Sequence, residues 1–199
     1  AEALMQADFV ASPIAFLYSP SSIKVDWITG NADLRLGSVQ GYKTWLNGLA
    51  LNYDYVAPEH LNDAARMAAC RILVLPVISA LSEQELNDIR RFVQSGGIVI
   101  ADQMCAAYDG HGKPYAASPL ADLFGVRAER LQLIKQPGQL EGLDVEVAGL
   151  SLKNLQIPVK SFESGLVPTT ARALAQVSAD GKQYPAALVN QYGKGLAIY

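Results

Sequence analysis

The chain has 199 residues, half of them hydrophobic and 18% charged, with a net charge of −3. That length predicts one domain, able to bury roughly 70% of its unfolded surface without staples. The absence of like-charge runs and of any basic stripe argues against nucleic acid as a partner, and no apolar stretch reaches the about 20 residues that span a bilayer.

The opening residues, AEALMQADF, lack the basic start and long apolar core of a secretory leader. With no leader and no spanning segment, a cytoplasmic location is favoured over a secreted one. The chain starts on Ala1 and stops at Leu196–Tyr199 in mid-strand, so it reads as a fragment of a larger protein. Ile14 to Tyr18 (IAFLY) predicts a first strand, closed by Ser19-Pro20-Ser21-Ser22. Those serines offer N-cap oxygens to a short helix over Ile23–Ile28. A longer helix is predicted over Leu34–Leu51, with Val39, Tyr42, Leu46 and Leu49 on one face. Gly37, Gly41 and Gly48 lie within it, each costing about 1 kcal/mol relative to Ala. Gly37 and Gly41 share a face suited to close packing. Tyr53–Val56 predicts a second strand, and Glu59–Met67 a connecting helix.

The clearest unit is the next one, Arg71–Asp102. Ile72–Leu75 and Ile98–Ala101 are unbroken apolar runs, as strands covered on both faces require. Between them Ser82 stands three residues before Glu85, a capping box, with Leu81 and Leu86 placed for a hydrophobic staple. Leu86, Ile89 and Val93 form one stripe. Arg90 and Arg91 suit the negative end of the helix dipole, and Gly96 or Gly97 ends it. This is one turn of a parallel α/β fold. Cys70 and Cys105 flank the unit and read as free, partly buried thiols rather than a disulfide.

Beyond Asp102 the pattern changes. Tyr108–Pro114 reads as a glycine-rich loop and Pro119–Phe124 as a short helix. Arg130–Lys135, Val145–Leu152 and Asn154–Val159 read as short strands. Ala173–Val177 and Ala186–Asn190 are joined through the turn pair Asp180-Gly181. Tyr192–Gly195 turns into a last strand, Leu196–Tyr199. The predicted organisation is an α/β core over residues 1–126 and a β-rich extension over 127–199 that completes the same domain.

Few residues carry chemistry. Cys105 lies where some α/β folds place a nucleophile, yet it falls past the strand end, has no glycine beside it, and shares the chain with only two histidines, His60 and His111. A packed thiol is the favoured reading. Asp109 and His111 lack a third ligand, so no metal is expected. Tyr192-Gly193-Lys194-Gly195 lacks the spacing and following helix of a phosphate loop. Glu83, Glu85 and Asp88 read as a solvated helix face rather than a glycosidase pair. In open α/β sheets, ligands bind at the carboxyl ends of the strands. There this chain would present Tyr18, Ser19, Ser21, Asp102 and Gln103 as a possible small-molecule crevice, against the alternative that the serines cap a helix and Asp102 accepts backbone bonds. No cofactor is implied.

Four segments together, IAFLYSPSSIKVDW, RILVLPVISALSEQELNDIRRFVQSGGIVIAD, LADLFGVR and YPAALVNQYGKGLAIY, resemble the β-galactosidase trimerisation domain, the glutamine-amidotransferase-like module of glycoside hydrolase family 42 and its relatives. The resemblance covers about residues 13–127 and 172–199. It implies a flavodoxin-like (class I glutamine-amidotransferase-like) parallel sheet flanked by helices, with the β-rich extension at its C-terminal end. It also implies a non-catalytic assembly or accessory role, a homo-oligomer, and a TIM-barrel catalytic domain in a bacterial parent chain. No catalytic residue carries over. Two other functions stay open: a carbohydrate- or small-molecule-binding module using the crevice, and a hydrolase or amidotransferase using Cys105.

Overall fold

The structure, a computed structural model, describes residues 11–147 and 150–199. Four strands, β1 (Ile14–Leu17), β2 (Asp54–Val56), β3 (Ile72–Leu75) and β4 (Ile98–Ala101), run parallel in the order β2-β1-β3-β4. The described helices are α1 (Pro20–Thr29), α2 (Ala32–Gly48), α3 (Ala64–Met67), α4 (Glu83–Gln94) and α5 (Ala121–Phe124). Successive strand residues point to opposite faces, and both faces here are covered. Ile14, Phe16 and Val74 pack with Leu46 of α2. Ala15, Leu17, Leu73, Leu75, Val99 and Ala101 pack with Leu86, Ile89 and Val93 of α4.

Local chemistry sets α4 as its sequence predicts. Ser82 Oγ accepts from Glu85 N at 3.3 Å, and Ser82 N donates to Glu85 Oε2 at 2.6 Å, a reciprocal capping box. Leu81 and Leu86 are both fully buried. Gly96 leaves the helix with φ +118°, a backbone region that L side chains rarely adopt.

The strands beyond α5 overturn the flavodoxin-like expectation. Strand β5 (Val126–Ile134) pairs with β8 (Phe162–Pro168) in a separate antiparallel ribbon. Strands β6 (Gly138–Val147), β7 (Leu150–Val159), β9 (Arg172–Ala179), β10 (Lys182–Tyr192) and β11 (Gly195–Ile198) all join the main sheet. Its order is β2-β1-β3-β4-β11-β10-β9-β6-β7. Strand β11 lies parallel to β4, and each pairing from β11 to β7 is antiparallel. The result is sheet-rich and mixed: nine strands in one sheet, with five helices among the described residues, two of them four residues long. The apolar run of β3 is buried on both faces, whereas on β4 Val99 and Ala101 are buried and Ile98 and Ile100 only half-buried. These runs carry no information about the direction of more distant strands, which the hairpin turns Asp180-Gly181 and Gly193-Lys194 decide. A close backbone approach fixes β11 in place. A Cβ on Gly195 would lie 2.1 Å from Gly97 O and 2.2 Å from Val93 O, so only glycine fits there.

Smaller differences have equally local causes. The predicted Glu59–Met67 helix is a 3₁₀ turn at Pro58–His60 and the separate helix α3, because Asp63 caps a new start by accepting from Ala65 N at 2.9 Å. The predicted strand Val145–Leu152 contains the end of β6 and the start of β7, with residues 148 and 149 outside the described set. The leaderless reading of the first nine residues also falls outside it. Strand β8 has no counterpart in the sequence reading. Leu49 lies beyond α2 and is exposed, and the two glycines of the helix thought to pack closely, Gly37 and Gly41, face open space. Among the described residues, no helix is long and apolar enough to cross a membrane.

Candidate functional site

The carboxyl ends of the parallel strands hold two hollows rather than one crevice, and both border α2. The first, about 350 Å³, is lined by Tyr18, Ser19, Arg35, Val39, Tyr55 and Ile78 among others. The second, about 320 Å³, has a polar end of Tyr42, Asp102, Gln103, Ser161, Glu163 and Tyr199, and apolar walls that include Leu140, Val177 and Tyr184. The five residues singled out in the sequence are thus divided. Tyr18 and Ser19 line the first hollow, Asp102 and Gln103 the second, and Ser21 neither.

In the first hollow, Ser19 is the N-cap of α1, and its Oγ accepts from Ser22 N at 3.2 Å. Ser22 Oγ donates to Ala80 O and accepts from Ala80 N, both at 3.0 Å, which fastens α1 to the loop after β3. The charged group here is one that sequence reasoning missed. Arg35, from the first turn of α2, sets its Nε 3.2 Å from Oδ2 of the fully buried Asp26. Asp26 also accepts from Ser79 Oγ at 2.6 Å. Burial raises the Asp26 pKa, with Ser79 and then Arg35 pulling it back. The one available signal is Asp26 itself, an acid inside the apolar run Val25–Ile28.

In the second hollow, Asp102 accepts from Val77 N at 2.5 Å and from the Ser38 hydroxyl. Glu163, supplied by the unforeseen strand β8, accepts from Met104 N at 2.7 Å and from Tyr199 OH at 2.5 Å. Val77 and Met104 both hold left-handed backbone, φ +44° and +62°. For a β-branched valine that conformation is a genuine outlier. The two carboxylates therefore grip the amides of strained turns. Burial raises Asp102 to about 6 and Glu163 to about 7, and the Asp102 charge adds to the rise at Glu163. Gln103 and Ser161 bond each other, Ser161 Oγ donating to Gln103 Oε1 at 3.2 Å.

The remaining candidates have structural partners. Cys105 is buried and free, and burial pushes its thiol pKa well up, with Asp102 and Glu163 adding to the effect. That environment opposes the thiolate a nucleophile needs. Cys70 is likewise free and buried. Asp109 Oδ1 accepts from His111 N and Lys113 N, both at 2.9 Å, as a turn-forming side chain. Among the described residues no group of three or more His, Cys, Asp or Glu is placed to hold a metal. Tyr192–Gly195 is the β10–β11 turn. Glu85 and Asp88 are buried, contrary to the solvated face expected of them, because the capping box engages Glu85 while Gln84 and Arg91 bind Asp88.

A different kind of surface lies on α1 and α2. Trp27 is 73% exposed, Ile28 84% and Trp45 57%, whereas Ser22 and Asp26 face inward. Helix α1 thus buries Val25 together with two polar residues and leaves Trp27 and Ile28 outside.

A family model described as "Beta-galactosidase trimerisation domain" matches residues 23–199. No curated protein matches the chain. Among solved structures it is similar to the β-galactosidases of Rahnella sp. R3 (TM-score 0.76, 22% identity), Bacillus circulans sp. alkalophilus (0.71, 19%) and the haloarchaeon Halorubrum lacusprofundi (0.71, 17%). These alignments cover 96%, 94% and 98% of this chain, respectively, and 28% of each enzyme. The chain therefore spans little more than a quarter of those β-galactosidases, and at such identities the likeness shows a shared fold.

Proposed function

The chain belongs to the β-galactosidase trimerisation domain family, and from that premise we propose that it is a non-catalytic assembly domain of a glycoside hydrolase whose chemistry resides in a separate TIM barrel. Residues 1–126 and 127–199 act in it as one unit. The observation that carries the assembly role is the exposure of large apolar side chains on α1 and α2. Trp27, Ile28 and Trp45 are more than half exposed, while polar Asp26 is wholly buried. Aromatic residues are enriched where protein surfaces meet. The inert setting of Cys105 supports the absence of catalysis by this chain.

Light scattering of the 199-residue chain across a concentration series tests the role. A mass above the monomer that falls on dilution is expected, together with its loss in Trp27→Ala/Trp45→Ala. A monomer at every concentration would remove the role from this domain and move it to the rest of the parent chain. Alkylation of Cys105 is expected to be slow at neutral pH; rapid labelling of the folded chain would instead favour a cysteine-dependent hydrolase.

A further inference from the structure

We propose that the hollow between β1, β2 and α2 is a binding site for a neutral pyranose sugar, with Tyr18 and Tyr55 as its ring platforms and Arg35 as its hydrogen-bond donor. This goes beyond the assembly reading and does not depend on it.

The placement comes from the sheet. Tyr18 follows β1 and shares the face of Phe16, two residues before it. Tyr55 of β2 stands opposite Phe16 in the parallel register, with their rings 5.6 Å apart. Both tyrosines therefore emerge on the α2 face at the carboxyl ends of neighbouring strands. Both line the hollow, and both remain about half exposed, at 52% and 53%. Tyrosine presents an apolar ring with a polar tip, and a pyranose presents flat C–H faces with hydroxyls at its edge. The hollow's volume, about 350 Å³, falls within the range of small-molecule sites.

Arg35 supplies the polar part. Its ion pair with Asp26 is the one polar contact its guanidinium makes among the described residues, and the geometry leaves Nε without a hydrogen bond. A guanidinium has five N–H donors and no acceptor, so most of its donor capacity is uncommitted. Asp26 already balances its charge. A site holding a neutral ion pair with spare donors favours a ligand rich in neutral oxygen acceptors over one carrying full charge. Leu17, Ile23, Val39 and Ile78 add apolar lining. This selects half of the crevice marked by the sequence: Tyr18 and Ser19 belong to it, whereas Asp102 and Gln103 border the other hollow.

The test is ligand-observed NMR and calorimetry on the 199-residue chain with galactose, glucose and galacturonate as probes. Millimolar binding of a neutral sugar is expected. Tyr18→Ala should weaken it about tenfold, and Arg35→Lys should weaken it as well. Gln103→Ala, at the other hollow, should leave it unchanged. Circular dichroism confirms that each variant is folded. Should Arg35→Lys fail to fold, Tyr18→Ala decides alone, since Tyr18 is half exposed and among the described residues no ring contact ties it to the core. Absence of binding by either neutral sugar, or binding indifferent to Tyr18→Ala, overturns the proposal. Preferential binding of galacturonate overturns it in favour of an anion site on Arg35. Light scattering on the same samples reads the assembly role separately, so neither failure mimics the other.

Discussion

The two hollows beside α2 treat buried charge in opposite ways. In the first, fully buried Asp26 meets a cation, Arg35, at 3.2 Å. In the second, Asp102 and Glu163 meet hydroxyls and backbone amides, and Glu163 also feels the Asp102 charge, with no cation among the influences on either. An unpaired buried carboxylate is costly, and a group in that position keeps its proton instead. The first hollow thus has its charge balanced by two side chains, while the second has its charge set by pH. At the backbone the two hollows meet: the carboxyls of the second hold the amides of the strained turns at Val77 and Met104, and the Val77 turn also borders the first hollow through Pro76 and Ile78.

The largest expected effect breaks the balanced pair. Asp26→Ala leaves Arg35 with its side chain only 16% exposed and no counter-charge. Removing one partner of a buried pair typically costs about 3–5 kcal/mol, and the partial exposure of Arg35 places the expectation at the lower end, about 3 kcal/mol. Urea unfolding measures it. A loss below about 1 kcal/mol would mean that the pair is energetically idle and that the contrast between the hollows is one of appearance.

Next in size is the response of the second hollow to pH. Glu163 rises from an ordinary 4.5 to about 7, and Asp102 from 3.8 to about 6. Between the unfolded and folded values the folded chain binds more protons than the unfolded one. Stability therefore rises as pH falls from about 7 toward 4, and is lost as pH rises through the folded values. One pKa unit corresponds to about 1.4 kcal/mol, so Glu163 alone contributes on the order of 2–3 kcal/mol across this window. Asp26, also raised, acts in the same direction; Asp109 and Asp144, both lowered and exposed, oppose it. Glu163→Gln removes one titration and should flatten the urea-midpoint profile measured between those limits. A variant profile as steep as the parent's would show that Glu163 does not titrate there.

These groups also mark where the sequence stopped being legible. Helix α4 was readable because Ser82, Glu85 and Gly96 act on neighbours within a few residues. The apolar run at β3 was readable because burial on both faces leaves a local trace. Sheet direction was not, because the β11–β4 pairing joins residues almost a hundred positions apart. Strand β8 escaped because FESGLVP loses its apolar–polar alternation at Ser164-Gly165 and Leu166-Val167 and carries Gly165 and Pro168, which read as strand breakers. Asp102 and Tyr18 could be placed at strand ends from sequence alone. Their partners Glu163, Ser38 and Arg35 could not, since nothing in an isolated glutamate, serine or arginine says what the fold will bring to it.

Ser38 provides the smallest effect and the sharpest one. Its hydroxyl donates to Asp102 Oδ2, while Val77 N donates to Oδ1. Burial pushes the Asp102 pKa up, and these two bonds, Ser38 the larger, pull it back. Bonds to the ionised form favour it, so Ser38→Ala should move the Asp102 midpoint upward from about 6. Carboxyl-carbon NMR reads that shift directly. The stability cost should depend on pH: about 1 kcal/mol above the midpoint, where the carboxylate loses a donor, and less below it, where the carboxyl keeps its proton. A merely structural role for Ser38 would give the same loss at every pH and leave the midpoint in place. An unmoved midpoint would mean that burial alone governs the second hollow, and that its hydrogen bonds position the strained turns without tempering the charge.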